Sequence, residues 1–107
     1  MAEDTDVELH LLRKFFVELV RLDKPERDLT LRQIAVALCV GSLPAQTAGK
    51  LKKRLGLHST VARRVVDRLI TLGLAAEAGD TASRRRVQVC LTNQGLKLLL
   101  DAIRSSI

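Results

Sequence analysis

Over positions 4–22 apolar side chains recur at helical spacing. Leu9, Leu12, Phe16 and Leu19 step along one seam, and Val7, Leu11, Phe15, Val17, Val20 and Leu22 widen it. A helix that is apolar around most of its circumference needs cover on two sides, one from its own domain and one from a partner. Lys24-Pro25 ends it, because the residue before a proline avoids the helical region. Thr30 has the hydroxyl of an N-cap and opens a second helix to about position 40, with Leu31, Ile34, Ala35, Leu38 and Cys39 turned inward and Gly41 and Pro44 as the break. Thr47 caps a third, short helix in which Leu51 and Leu55 are the inward pair and Gly56 is the stop. A fourth starts at His58 or Ser59 and runs through Val61, Val65, Val66, Leu69 and Leu72 to Gly73.

After Gly73 the period shortens to two. Positions 74–78 and 86–91 read as strands, with Val87, Val89 and Leu91 inward and Arg86, Gln88 and Cys90 outward, joined by the polar turn 79–83. Thr92 then caps a last helix whose stripe is Leu96, Leu99, Leu100, Ile103 and Ile107. Two short helices around a tight glycine turn, followed by a hairpin, make a winged helix-turn-helix. The expected fold is mostly α with a small β-hairpin wing, flanked by N- and C-terminal helices. It is one domain over 1–107, divided into a first helix at 1–24, the winged unit at 29–92 and the last helix at 93–107.

Charge gives this pattern a chemistry. The 107 residues carry 18 Lys and Arg against 12 Asp and Glu, a net charge of +6. The excess is local: positions 1–30 are net acidic, whereas 31–57 carry Arg32, Lys50, Lys52, Lys53 and Arg54 and no acid. A basic middle segment is the electrostatic footprint of a protein that neutralises phosphates. Only 2% of residues are aromatic, too few to stack single-stranded bases, so a nucleic-acid partner would be a duplex. The fourth helix, 58–73, is then the recognition helix for a major groove about 12 Å wide, with Ser59, Thr60, Arg63 and Arg64 at the base edges. Thr47, Lys50, Lys53 and Arg54 on the third helix, and Arg84, Arg85 and Arg86 on the wing at 74–91, are the expected backbone or minor-groove contacts.

The run Thr47-Ala-Gly-Lys-Leu-Lys-Lys-Arg-Leu-Gly-Leu, then Ser59-Thr60, Arg64-Val-Val-Asp67-Arg68-Leu69, Gly73-Leu74, Arg84-Arg85 and Leu91-Thr92-Asn-Gln-Gly95 resembles the MarR family of bacterial transcriptional regulators. The likeness covers about positions 29–100. It implies a homodimer on a roughly palindromic operator, joined through the first and last helices. By position it implies that Arg85 is the wing arginine, and that Leu9, Leu12, Phe16, Leu19, Leu96, Leu100 and Ile103, the apolar stripes of those helices, form the dimer interface. The chain departs from the family pattern at Ser83, where an aspartate is usual, at Lys52 and at His58. Family members bind small effectors beside longer terminal helices, and an effector is left open for this chain.

Other chemistry is not indicated. No nucleophile, base and orienting group fall together, and there is no glycine-rich phosphate loop, so no enzyme and no cofactor is expected. His10 and His58 are isolated, Asp67 reads as a structural ion pair, and Cys39 and Cys90 read as two buried thiols, with no metal site. The longest apolar runs are far shorter than the roughly 20 residues that span a bilayer, and the acidic start is unlike a secretory signal. The expected protein is cytoplasmic, without a membrane partner. The alternative function is a winged-helix module for protein contacts, without specific DNA binding.

Overall fold

A computed structural model describes residues 2–24, 27–79 and 87–106, with side chains from position 6 onward. Expectations at Pro25, at the turn, at Arg84, Arg85 and Arg86, and at Ile107 lie outside the described residues. The helices are α1 (Ala2–Leu22), α2 (Leu31–Ser42), α3 (Ala48–Leu55), α4 (Ser59–Thr71) and α5 (Asn93–Ser106), with strands β1 (Ala75–Ala78) and β2 (Gln88–Leu91) between the last two. The residues gather in two compact units, Met1–Asp28 with Lys97–Ile107, and Leu29–Leu96.

Local chemistry explains each boundary of the second unit. The Thr30 hydroxyl accepts the Gln33 amide at 3.2 Å and the Gln33 side chain accepts the Thr30 amide at 2.9 Å, a reciprocal capping box that opens α2. The helix runs past Gly41 and stops at Leu43, which is extended because Pro44 follows it. Gly41 therefore lies inside the helix and is not the break; a Cβ there would come within 2.7 Å of Leu91 Cδ1, the mobile end of that side chain. Thr47 caps α3 by accepting the Lys50 amide at 3.2 Å, and Gly56 ends it in the left-handed region at φ 64°.

The core of this unit is Val36, Ala37 and Val40 of α2, Leu51 of α3, Ala62, Val65, Val66 and Leu69 of α4, and Leu74, Ala75, Val87 and Val89 at the hairpin. Burying each larger side chain contributes about 1.5–3 kcal/mol. The inward face of α2 is thus rotated from the expected one, with Leu31 73% exposed and Ile34, Ala35, Leu38 and Cys39 half-buried. An uninterrupted apolar run over 34–40 carries no period from which its phase could be read.

β1 and β2 pair antiparallel, with Ala75 opposite Leu91 and Glu77 opposite Val89. The alternation buries Val87 and Val89 and exposes Gln88 and Cys90. The expectation of two buried thiols is corrected: Cys90 is exposed and Cys39 is half-buried. The Gln46 carbonyl accepts the Val89 amide at 2.8 Å, so the loop before α3 bonds to β2. At the start of α5 the Thr92 hydroxyl donates to the Gly73 carbonyl at 2.6 Å and accepts the Gly95 amide at 3.1 Å. Gly95 is required there, since any Cβ would overlap the Leu74 carbonyl.

In the other unit, Leu19, Leu98, Leu99 and Ala102 are buried. Val7, Leu9, Leu11, Leu12, Val17 and Val20 of α1 stay exposed, Val20 at 76%. Arg27 is buried with its Nε 2.7 Å from Asp23 Oδ1. Among the described residues no helix is long and apolar enough to cross a membrane.

Candidate nucleic-acid interface

The turn between α3 and α4 sets the geometry of the site. The Gly56 and Leu57 amides both bond to the Lys52 carbonyl, the latter at 3.0 Å, and His58 enters α4 in an extended conformation. His58 gives no side-chain cap, unlike Thr30 and Thr47 at the two preceding helices. The first amides of α4 therefore lack a side-chain acceptor, at a helix end whose dipole favours anions. Ser59, Thr60 and Arg64 are all exposed at this end of the helix. Val65, Val66 and Leu69 face the core, which fixes the rotation of α4 and presents Arg64 to solvent.

Arg63 has a different environment. Its Nη2 is held by Glu77 of β1 and lies 2.9 Å from Asp67 Oδ1, one turn along α4. Burial by itself would lower the Arg63 pKa; the Glu77 hydrogen bond and the nearby charges of Asp67 and Glu77 outweigh it and hold the pKa above the ordinary arginine value. Asp67 is thus in a structural ion pair, but its partner is Arg63 and not Arg64 or Arg68, the two arginines that its place in the sequence suggests. Arg64 and Arg68 remain exposed and without an ion-pair partner among the described residues.

On α3, Lys50, Lys53 and Arg54 are exposed as expected, and Thr47 is half-buried with its hydroxyl engaged as the cap. Lys50 Nζ donates to the Ala45 carbonyl at 3.0 Å. Lys52, Lys53 and Arg54 occupy the last turn, where positive charge also complements the helix dipole. The residues expected at a dimer interface divide. Leu9, Leu12, Phe16, Leu96 and Ile103 are exposed, Leu100 is half-buried, and Leu19 at 2% exposure is already covered within the chain. Leu19 is therefore corrected from an interface residue to a core residue. Among the described residues no three or more His, Cys, Asp or Glu side chains gather to hold a metal ion.

No family profile matches the sequence, and no curated protein matches it. Solved structures do match the architecture. RV1404 from Mycobacterium tuberculosis is 21% identical with a TM-score of 0.76, over 98% of this chain and 69% of its own. A MarR family protein from Bacillus stearothermophilus is 20% identical with a TM-score of 0.70, over 95% of this chain and 67% of its own. The fold is a winged helix of the MarR type. BpsR of Bordetella bronchiseptica, whose DNA binding is regulated by 6-hydroxynicotinic acid, shares this MarR-type fold at 22% identity and a TM-score of 0.62, over 95% of this chain and 72% of its own. Within the MarR-type fold α3 and α4 are the helix-turn-helix pair and the β1–β2 hairpin is the wing.

Two features escaped the sequence reading. The Gln46–Val89 bond is a backbone pairing and leaves no trace in side-chain pattern. The Arg63–Glu77 pair joins residues fourteen positions apart in different elements; its only sequence signal is an acidic residue near the middle of a short strand.

Proposed function

We propose that this protein is a sequence-specific, double-stranded-DNA-binding transcriptional regulator that acts as a homodimer. In this reading α4 enters the major groove with Ser59, Thr60 and Arg64 at base edges, and Lys50, Lys53, Arg54 and the wing arginines Arg84, Arg85 and Arg86 meet phosphates or the minor groove. One observation carries it: α4 offers exposed Arg64 beside an uncapped N-terminus, while both described carboxylates of the winged unit, Asp67 and Glu77, are engaged by Arg63. Arg63 offsets one of these two carboxylates, and the exposed Arg64 and Arg68 outweigh the other, so the net charge of α4 with Glu77 is positive. The regulator functions attached to structural neighbours, a transcriptional regulator from Thermotoga maritima among them, support the same reading.

The exposed apolar side chains of α1 favour a second copy as partner, because so many large apolar groups left in solvent on one helix mark an association site. They also favour the second reading, a protein-contact module without specific DNA binding. Selection of bound duplexes from a random pool tests the two together. The regulator reading expects a palindrome whose half-sites lie about 34 Å apart, one DNA turn. A wild-type protein that leaves every duplex unbound at low salt would overturn it. Effector control, known for BpsR, would show in the same assay as release of the selected duplex by an added small carboxylic acid.

A further inference from the structure

Arg63 stands at the position expected to read bases, yet its guanidinium is turned to protein. The geometry points to a positioning role: Arg63 braces the wing against the reading helix, and base reading at this end of α4 belongs to Arg64. This rests on the proposed duplex-binding function.

Three observations support it. Arg63 Nη2 is shared by Glu77 and by Asp67 at 2.9 Å, so one donor group links β1 to α4. The Arg63 side chain is only 30% exposed and its Nε is buried, whereas Arg64 beside it is exposed. Glu77 lies opposite Val89, which is itself bonded to the Gln46 carbonyl at 2.8 Å. The strand pair is thus held on one side by the loop before α3 and on the other by Arg63.

Charge decides between bracing and reading. One guanidinium and two carboxylates sum to a single negative charge. Were Arg63 to swing onto a guanine, Glu77 and Asp67 would be left unpaired against a polyanion, a repulsion that grows as water is excluded from the interface. The brace also sets where the wing starts: β1 ends at Ala78, one residue after Glu77, and the segment with Arg84, Arg85 and Arg86 follows.

The test is a sign and a rescue, read on the selected duplex and a random duplex across a salt series. Glu77→Gln removes a negative charge from the DNA-facing side. A braced Arg63 predicts that it nevertheless weakens binding, with an unchanged salt slope. Tighter binding with a slope steeper by about 0.9, the value for one added phosphate contact, would show Arg63 going to DNA and overturn the assignment. Arg63→Glu is expected to weaken binding at least about tenfold, and the exchanged pair Arg63→Glu with Glu77→Arg, which keeps the same three charges, to return within about threefold of wild type because the sites are coupled. A folded exchange variant as weak as Arg63→Glu alone would also overturn it. If the exchange variant fails to fold, the sign of the Glu77→Gln effect decides. A wild type that binds no duplex is seen before any variant is made, and overturns the proposed function and this assignment together.

Discussion

The two units of the chain use opposite chemistries. Leu29–Leu96 carries eleven Lys and Arg against three Asp and Glu, whereas Met1–Asp28 with Lys97–Ile107 carries seven against nine. The basic unit has a fully buried centre, with Leu51 and Val66 at 0% exposure and Leu31 as its most exposed large apolar side chain at 73%, while α1 of the other leaves a run of them in solvent, Leu9 at 60% and Val20 at 76%. A surface that meets phosphate gains from charge and loses little by being wet. A surface that meets another apolar helix gains only when water leaves it. Under the proposed function, recognition and association would therefore be separable, and conditions that weaken one should spare the other.

Salt should separate them most strongly. If the basic unit makes six to ten phosphate contacts, raising salt from 50 to 200 mM should weaken duplex binding by about 10³–10⁵. Self-association, measured by sedimentation over the same range, should hold. Equal loss of both would erase the distinction. Leu12→Glu places a charge on the exposed stripe of α1 and should convert dimer to monomer while leaving the fold of the winged unit, read by circular dichroism, intact. An unchanged sedimenting mass would remove α1 from the interface.

Arg64→Ala should cost about 5- to 150-fold in affinity for the selected duplex, the equivalent of roughly 1–3 kcal/mol, and much less on random duplex. Equal losses on both would make Arg64 a phosphate contact. Smallest is Thr30→Ala, which opens the capping box of α2 and should lower unfolding stability by about 1 kcal/mol without changing base preference. A changed preference with unaltered stability would mean that α2 touches the duplex.

How much was legible in the sequence follows from where each signal resides. The α3–α4 turn was legible because Thr47 and Gly56 mark its edges by their own backbone and hydroxyl chemistry. The wing strands were legible because Val87 and Val89 alternate with polar neighbours. The phase of α2 was not, since its apolar run lacks period, and Gly41 looked like a terminator although the helix continues through it to Ser42. Within the candidate site, Arg63 and Arg64 are adjacent arginines, and one of the two carboxylates that hold Arg63 belongs to a strand across the fold. Pairings of that kind become visible only when the chain is folded.

Cys90 shows a practical consequence of strand alternation. The chain has two cysteines, and the one on β2 points out of the wing opposite Ala76, while Cys39 is half-buried in α2. A maleimide dye at limiting stoichiometry would therefore react first at Cys90 and turn the wing into its own fluorescent reporter, with no engineered residue. Its anisotropy and quenching during a duplex titration would follow the wing separately from the reading helix.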